Sequence, residues 1–370
     1  MSRGGLVGLQ RIVFWQPIES PHQHDFLEAL AAAVPSEVIL AVESALPACR
    51  VDQGWRHAPH ERVRVVDVSS AEGFGSLVAH RGTDSLHVFS GFFSHPIVWR
   101  AFRQLTPSVA RLAILSEAPE QGPWTGGLKR ARGRWLAGRW GQRIDFVLAR
   151  GGVGRQFFES IGIPRRKIGR FGYYLDVPDS PWPPAEETAG GDFRFIAVGQ
   201  MIRRKGLDLL MAALADLDGL PWRCDFYGSG PLEHELRRAA GRLPRARVGF
   251  HPPMANGEVR RAIAASDCCV VASRHDGWGM VVNEALIAGT PVVCSDGCGA
   301  ADMIDDPVAG MVVPAGRVRP LAEALQRCLS AGKIDRELRY RVHAVAKRHD
   351  PAAGVREFLD RLAVRGPFDR

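Results

Sequence analysis

The chain has 370 residues, 46% apolar and 24% charged, enough for two domains with cores of their own, which excludes wholesale disorder. Its 48 Lys and Arg outnumber 40 Asp and Glu, a formal charge of +8. That excess points to an anionic ligand, a membrane surface or nucleic acid without choosing among them. No run approaches the ~18 apolar residues of a membrane span. The first ten residues hold no apolar core of signal-peptide length, so the expectation is a cytoplasmic protein.

Short β-branched runs alternate with helical patterns. In the first half, strands are predicted at Arg11–Phe14, Glu37–Ala41, Val63–Val66, Ser85–Val88, Arg111–Leu115 and Phe146–Ala149, with a helix at Gln23–Ala33. In the second half, they fall at Phe193–Val198, Arg223–Tyr227, Val248–Phe250, Cys268–Ala272, Pro291–Cys294 and Gly310–Val313. Helices are predicted there over Gly206–Leu217, Leu232–Gly241, Gly257–Ala265, Val281–Ala288 and Pro320–Ala331. Many strands are apolar without alternation, as in parallel sheets covered on both faces, so the class is α/β. Between the halves, VPDSPWPPAEETAGGD carries four prolines, two glycines and four acids and reads as a linker. The expected division is an N-terminal domain 1–177, a linker 178–192, a C-terminal domain 193–350, and an amphipathic helix in 351–370 returning to the first domain. Ligands of such sheets bind beyond the C-terminal strand ends, so two Rossmann-like domains facing a central cleft are expected. The seven cysteines (49, 224, 268, 269, 294, 298, 328) are irregularly spaced and complete no zinc motif. They read as reduced and structural.

Chemistry concentrates in the second half. In DCCVVASRHDGWGMVVNEALIAGTPVV (267–293) a buried strand ends, a glycine-broken loop follows, and a helix starts near Met280. The amides around Gly277, Gly279 and Met280 would meet an anion, and a diphosphate is the natural occupant. Asp276 and Glu284 make sense beside phosphate as acceptors for sugar hydroxyls; the alternative is a turn residue and a helix-dipole partner. Upstream, VGQMIRRKGLDLL (198–210) places Arg203, Arg204 and Lys205 at a helix start, where cations oppose the macrodipole unless an anion sits there. The alternative is a solvated charge run. CDFYGSGPLEHEL (224–236) fails as a dinucleotide fingerprint, with Glu233 where a third glycine belongs. It reads instead as a tight turn approaching a base or ribose.

The succession G-x5-KG (Gly199 to Lys205-Gly206), YGSGPL, VGFHPPM and Asp276-x7-Glu284 followed by EALIAGTPVV resembles the nucleotide-sugar domain of family-4-type retaining glycosyltransferases of the GT-B fold, over about residues 193–315. QPIESPHQHDFLEAL and LSEAPEQG resemble, more loosely, acceptor domains of bacterial polysaccharide-assembly and lipopolysaccharide-assembly members. The resemblance implies that Lys205, with Arg204 or Arg203, grips the donor diphosphate, together with amides around Gly277, Gly279 and Met280. It implies that Glu284 binds ribose and that Asp276 contacts the transferred sugar. Trp278 is either a further sugar contact or packing. Tyr227, Gly228, Gly230, His251 and Met254 would border the base. The chain departs from the pattern at Gln200, where many members carry Arg, and at Asp276, where Glu is usual.

On the acceptor side, Glu117 ends a predicted strand and is the candidate base, completing a catalytic set with Lys205 and Asp276; the alternative makes it a cap of residues 121–127 or an arginine's partner. His22, Gln23 and His95 are the other acceptor-side candidates, against a merely structural role. No Asp-x-Asp stands in a convincing metal position, so fixed cations are expected to stabilise the leaving group without metal or cofactor. Residues Lys129–Arg143 hold six cations, no acid, and Trp135 and Trp140. That mixture suits an anionic membrane surface, against RNA or a solvated helix. Residues 1–180 carry 22 basic and 16 acidic side chains, so most of the charge excess lies in the presumed acceptor domain.

The function expected is transfer of a sugar from a nucleoside-diphosphate donor, UDP- or GDP-linked, to a glycan or lipid-linked acceptor in cell-surface polysaccharide synthesis, peripheral to the inner face of the cytoplasmic membrane. Alternatives are a GT-B nucleotide-sugar epimerase and a binding protein with a degenerate cleft. No nucleic-acid partner is expected.

Overall fold

The computed structural model describes residues 8–44, 58–91, 95–120, 125–182, 191–217, 221–243 and 247–363. Most of the expected linker (183–190), Cys49 and much of segment 121–127 lie outside the described residues. The chain divides into two units, Met1–Asp176 with His349–Arg370, and Val177–Arg348.

In the first unit, β1 (Arg11–Ile18), β2 (Glu37–Ser44), β3 (Arg64–Asp67), β4 (Ser85–Phe89), β5 (Arg111–Ser116), β6 (Phe146–Arg150) and β7 (Ile168–Phe171) form one sheet. Every pairing is parallel, in the order β3-β2-β1-β4-β5-β6-β7. Between them run α1 (His24–Ala33), α2 (Ala71–Val78), α3 (Pro96–Leu105), α4 (Thr125–Trp140) and α5 (Gly151–Ser160). β1 shows why its run is continuously apolar: Val13 and Trp15 pack into one face's core, Ile12 and Phe14 into the other's. β7 was not expected from sequence. Its four residues include Gly169 and exposed Arg170, because an edge strand needs no apolar run.

In the second unit, β8 (Phe193–Val198), β9 (Trp222–Tyr227), β10 (Val248–His251), β11 (Cys268–Val271), β12 (Val292–Ser295) and β13 (Gly310–Val313) are again all parallel, in the order β10-β9-β8-β11-β12-β13. They alternate with α6 (Leu207–Ala215), α7 (Glu233–Ala240), α8 (Asn256–Ala264), α9 (Val281–Ile287), α10 (Val318–Ala331) and α11 (Arg336–Ala346). Cys224, Cys268, Cys269, Cys294 and Cys298 are buried free thiols of this core. The last helix, α12 (Pro351–Leu362), belongs to the first unit, where Phe358 packs against Phe14, Phe26 and Phe146.

Both sheets have a topological switch point, where chain order reverses and the loops after two neighbouring strands part. It lies between β1 and β4 in the first unit, and between β8 and β11 in the second. Among the described residues no helix is long and apolar enough to cross a membrane.

Candidate functional site

The switch point of the second unit brings two loops together. β8 ends in Gly199, passes buried Met201, makes a 3-10 turn at Arg203–Lys205 and enters α6. β11 ends before Ala272 and its loop runs through Asp276 to α9. The loops are tied by the Arg274 amide donating to Arg204 O at 2.8 Å and by Arg274 gripping Asp208 at 2.7 and 2.8 Å.

The three consecutive cations do not act together. A 3-10 turn advances about 120° per residue, so adjacent side chains diverge. Arg203 turns outward, 65% exposed, to Asp208 at 2.9 Å and Glu235 at 3.5 Å, apart from the two cations on Asp276. Lys205 donates to Asp276 Oδ2 at 2.5 Å, and Arg204 reaches His275 O at 3.2 Å and Asp276 Oδ1 at 3.5 Å. The Asp276 carboxylate, expected on the sugar, is thus buried in a two-cation ion pair.

Between Asp276 and α9, Gly279 has φ +95, and a Cβ there would lie 2.5 Å from Cys298 Sγ, so glycine is required. Among the described residues, the amides of Gly277, Gly279 and Met280 make no hydrogen bond. Trp278 is buried, and its indole N–H donates to Asn283 Oδ1 at 2.7 Å. That burial and bond fit the packing alternative.

Glu284 stands in the first turn of α9, its side chain 16% exposed. Arg260 Nε is 3.9 Å away, beyond hydrogen-bonding reach, and among the described residues nothing donates to the carboxylate. Burial pushes its pKa up to about 7, against the pull of Arg260. A nearly buried carboxylate with empty lone pairs is built to accept from hydroxyls that are not part of the chain.

At the ends of paired strands β9 and β10, Tyr227 and His251 stack at 4.4 Å, and His251 Nε2 lies 2.8 Å from Asp225 Oδ1. Gly228 and Gly230 are also demanded by packing. A Cβ on Gly228 would lie 2.1 Å from Gly199 O, and one on Gly230 2.6 Å from Met201 O. Their bareness lets this turn press on the loop that carries Lys205. Met254 follows β10 and is half-buried.

In the first unit, a pocket of about 610 Å³ opens at the β1/β4 switch point. It gathers Gln23, His95 and Glu117, with Lys129, Arg150 and Tyr173. Gln23 accepts from Gln16 at 2.7 Å, and Glu117 Oε1 accepts from the Tyr173 hydroxyl at 2.9 Å. His22 lies edge-on to Tyr173 at 6.0 Å and is not part of the lining.

Comparison with known proteins bears on both units. Residues 180–345 match the family model described as glycosyl transferases group 1. The match falls within the second unit, which is thus similar to the group 1 glycosyl transferases. The alpha-D-kanosaminyltransferase of Streptomyces kanamyceticus is 31% identical over 148 residues, 39% of this chain and 37% of that protein. The amylovoran biosynthesis glycosyltransferase AmsK of Erwinia amylovora is 29% identical over 222 residues, 55% of this chain and 52% of its own. The chain spans about half or less of the length of these curated relatives. Among solved structures, Anabaena Alr3699/HepE in complex with UDP and glucose gives a TM-score of 0.70 at 16% identity, over 96% of this chain and 99% of its own. The lipopolysaccharide outer core galactosyltransferase WaaB, apo form, gives 0.70 at 14% identity, over 95% and 99%. These likenesses show the fold, two parallel-sheet Rossmann-like α/β domains of the GT-B class.

The basic stretch of the glycosyltransferase-like chain divides between inside and outside. Trp140 packs on Trp99 and Phe102 at 5.2 and 6.2 Å, and Arg143 ties the carbonyls of Thr106, Ser108 and Ala110; both are structural, which corrects their place in a membrane-facing surface. Leu128 and Trp135, seven residues apart on one helix face, are 74% and 64% exposed. Sequence reasoning missed Arg150 and Tyr173. A cation closing the otherwise apolar strand FVLAR was the signal for the first; Tyr173 follows the strand that was not anticipated.

Proposed function

We propose that this chain is a glycosyltransferase that takes a sugar from a nucleoside diphosphate, with retention of anomeric configuration, and passes it to a glycan or lipid-linked acceptor of cell-surface polysaccharide. The observation that carries the reading is Glu284, a nearly buried carboxylate without a donor, eight residues after an aspartate held by Lys205 and Arg204. On this reading Glu284 accepts from the ribose diol. Lys205, Arg204 and the amides of Gly277, Gly279 and Met280 take the diphosphate. The Tyr227–His251 stack borders the base. HepE, whose fold is similar, binds UDP and glucose, which favours a UDP-sugar.

As the donor bond breaks, negative charge builds on the outer phosphate, and positive groups aimed there stabilise the transition state more than the ground state. Losing one such donor costs about 3–4 kcal/mol in barrier. Lys205 meets that charge while Asp276, now sharing its cation, turns acceptor capacity toward the sugar. This chemistry asks nothing of a metal, so transfer is expected to survive EDTA. Glu117, held by Tyr173, belongs to the acceptor side of the reaction with Gln23 and His95.

The test is a donor screen by mass spectrometry with membrane lipid extract as acceptor. Sugar added to a lipid or glycan supports the reading. Donor converted without an acceptor points to an epimerase, and micromolar binding of none of UDP, GDP and ADP to a binding protein.

The reading places the protein in the cytoplasm, at the inner membrane face, through α4. Exposed Leu128 and Trp135 stand among Lys129, Arg130, Arg132, Arg134 and Arg139, a composition suited to anionic headgroups. Trp135→Ser with Leu128→Ser is expected to release the chain from phosphatidylglycerol vesicles; undiminished binding would contradict that docking.

A further inference from the structure

Among the described residues lining the first unit's pocket, Arg150 is the only buried cation. It closes β6 and is 2% exposed, and its guanidinium carbon lies over the Tyr173 ring, 3.5 Å from the centroid. A guanidinium has five N–H donors in a rigid fork. Among the described residues, none of them has a hydrogen-bond acceptor or ion-pair partner. Its neighbour Glu117 is within electrostatic range, but that carboxylate is taken up by the Tyr173 hydroxyl at 2.9 Å.

A buried charge without a partner is costly and persists only where something repays it. The stacking on Tyr173 and Phe171 orients the fork and covers one face, but satisfies no N–H. Burial pushes the guanidinium's pKa down, and Tyr173, Glu117 and Tyr174 pull it back; arginine stays charged at any physiological pH. Lys129 and Arg132 add positive charge at the rim of the same pocket. The volume, about 610 Å³, is in the range of a small-molecule site of one or two sugar rings.

We propose that this pocket is an oxyanion-recognition site, in which Arg150 takes the carboxylate or phosphate of a sugar-sized ligand. Planar, bidentate recognition of such a group is what a stacked arginine does best. The lining residues all belong to the first unit, whereas the residues assigned to the donor belong to the second. That its ligand is the acceptor rests on the transferase reading; the anion site itself does not. The acceptor class then narrows to glycans carrying a uronic acid or a phosphate at or next to the sugar that is extended.

Calorimetry on the full chain saturated with UDP tests this, using glucuronate, α-glucose 1-phosphate and glucose. At least one anion is expected to bind tenfold or more tightly than glucose, and which one does so identifies the oxyanion. Arg150→Met is expected to reduce that anion to the affinity of glucose, and Arg150→Lys, which keeps charge without the fork, to weaken it several-fold. Lys205→Met leaves it unchanged. Equal binding of all three compounds by the unaltered chain overturns the proposal without recourse to a variant, as does an anion preference that survives Arg150→Met or vanishes with Lys205→Met. A chain that prefers the anion but binds no nucleoside diphosphate keeps this site and loses the transferase reading. One that binds UDP without anion preference does the reverse.

Discussion

Replacing Glu284 by Gln should make the protein more stable at pH 8 and leave it nearly unchanged at pH 4. The carboxyl's folded-state pKa is raised from 4.5 to about 7, first by burial, with Arg260 at 3.9 Å opposing. Above pH 4.5 the unfolded chain gives up this proton while the folded chain keeps it until about pH 7, so stability falls as pH rises through that window. At about 1.4 kcal/mol per pH unit the whole displacement is worth about 3 kcal/mol, an upper figure because the group retains some contact with solvent. Gln keeps the shape and carries no charge to desolvate. For a unit of this size about 2–4 °C follows each kcal/mol, so scanning calorimetry at pH 8 should show the variant melting several degrees higher, with almost no difference at pH 4. A variant no more stable than the parent at pH 8 would mean that Glu284 is already satisfied within the chain, and the case for a missing hydroxyl donor would fall.

Lys205→Met should weaken UDP binding tenfold or more, the worth of a charge-assisted hydrogen bond of about 1.5–3 kcal/mol; calorimetry that finds UDP affinity unchanged would remove Lys205 from the diphosphate. Gly230→Ala should destabilise the second unit by about 1–3 kcal/mol, the usual cost of a residue forced into such a conformation. Its Cβ would stand 2.6 Å from Met201 O at φ +155, and denaturant unfolding reads the loss. In the first unit His87 is buried, accepting from Trp15 Nε1 at 3.0 Å through Nδ1 and donating from Nε2 to His80 O at 2.8 Å. Burial lowers its pKa from 6.5 to about 4, so the unfolded chain binds a proton that the folded one refuses. Stability should therefore drop by about 2 kcal/mol from pH 6.5 to pH 5, and His87→Gln should flatten that slope in urea titrations.

The sheets were readable because parallel strands covered on both faces leave unbroken apolar runs such as FRFIAV and CCVV, and only the edge strand IGRF lacked one. The spacing of Asp276, Gly279 and Glu284 was equally legible, since a turn that needs glycine next to carboxylates leaves its mark in sequence. What sequence could not resolve were directions. Arg203, Arg204 and Lys205 are consecutive, and only the turn's pitch separates the outward arginine from the pair on Asp276. Trp278 looks like a ligand contact until Asn283 is seen accepting its N–H. Arg150 escaped notice because the segment bearing its stacking partner, Tyr173, carries no periodic signal. Trp140 and Arg143 shared a basic run with Trp135, and their burial depends on Trp99 and on carbonyls about 35 residues upstream.

The central claim is that one set of residues in the second unit neutralises a diphosphate and holds its pentose. A crystal structure of the chain with UDP tests it most directly. The account predicts diphosphate oxygens within hydrogen-bonding distance of Lys205 and Arg204, and both ribose hydroxyls on Glu284. UDP seated elsewhere, or a ribose turned away from Glu284, would contradict it.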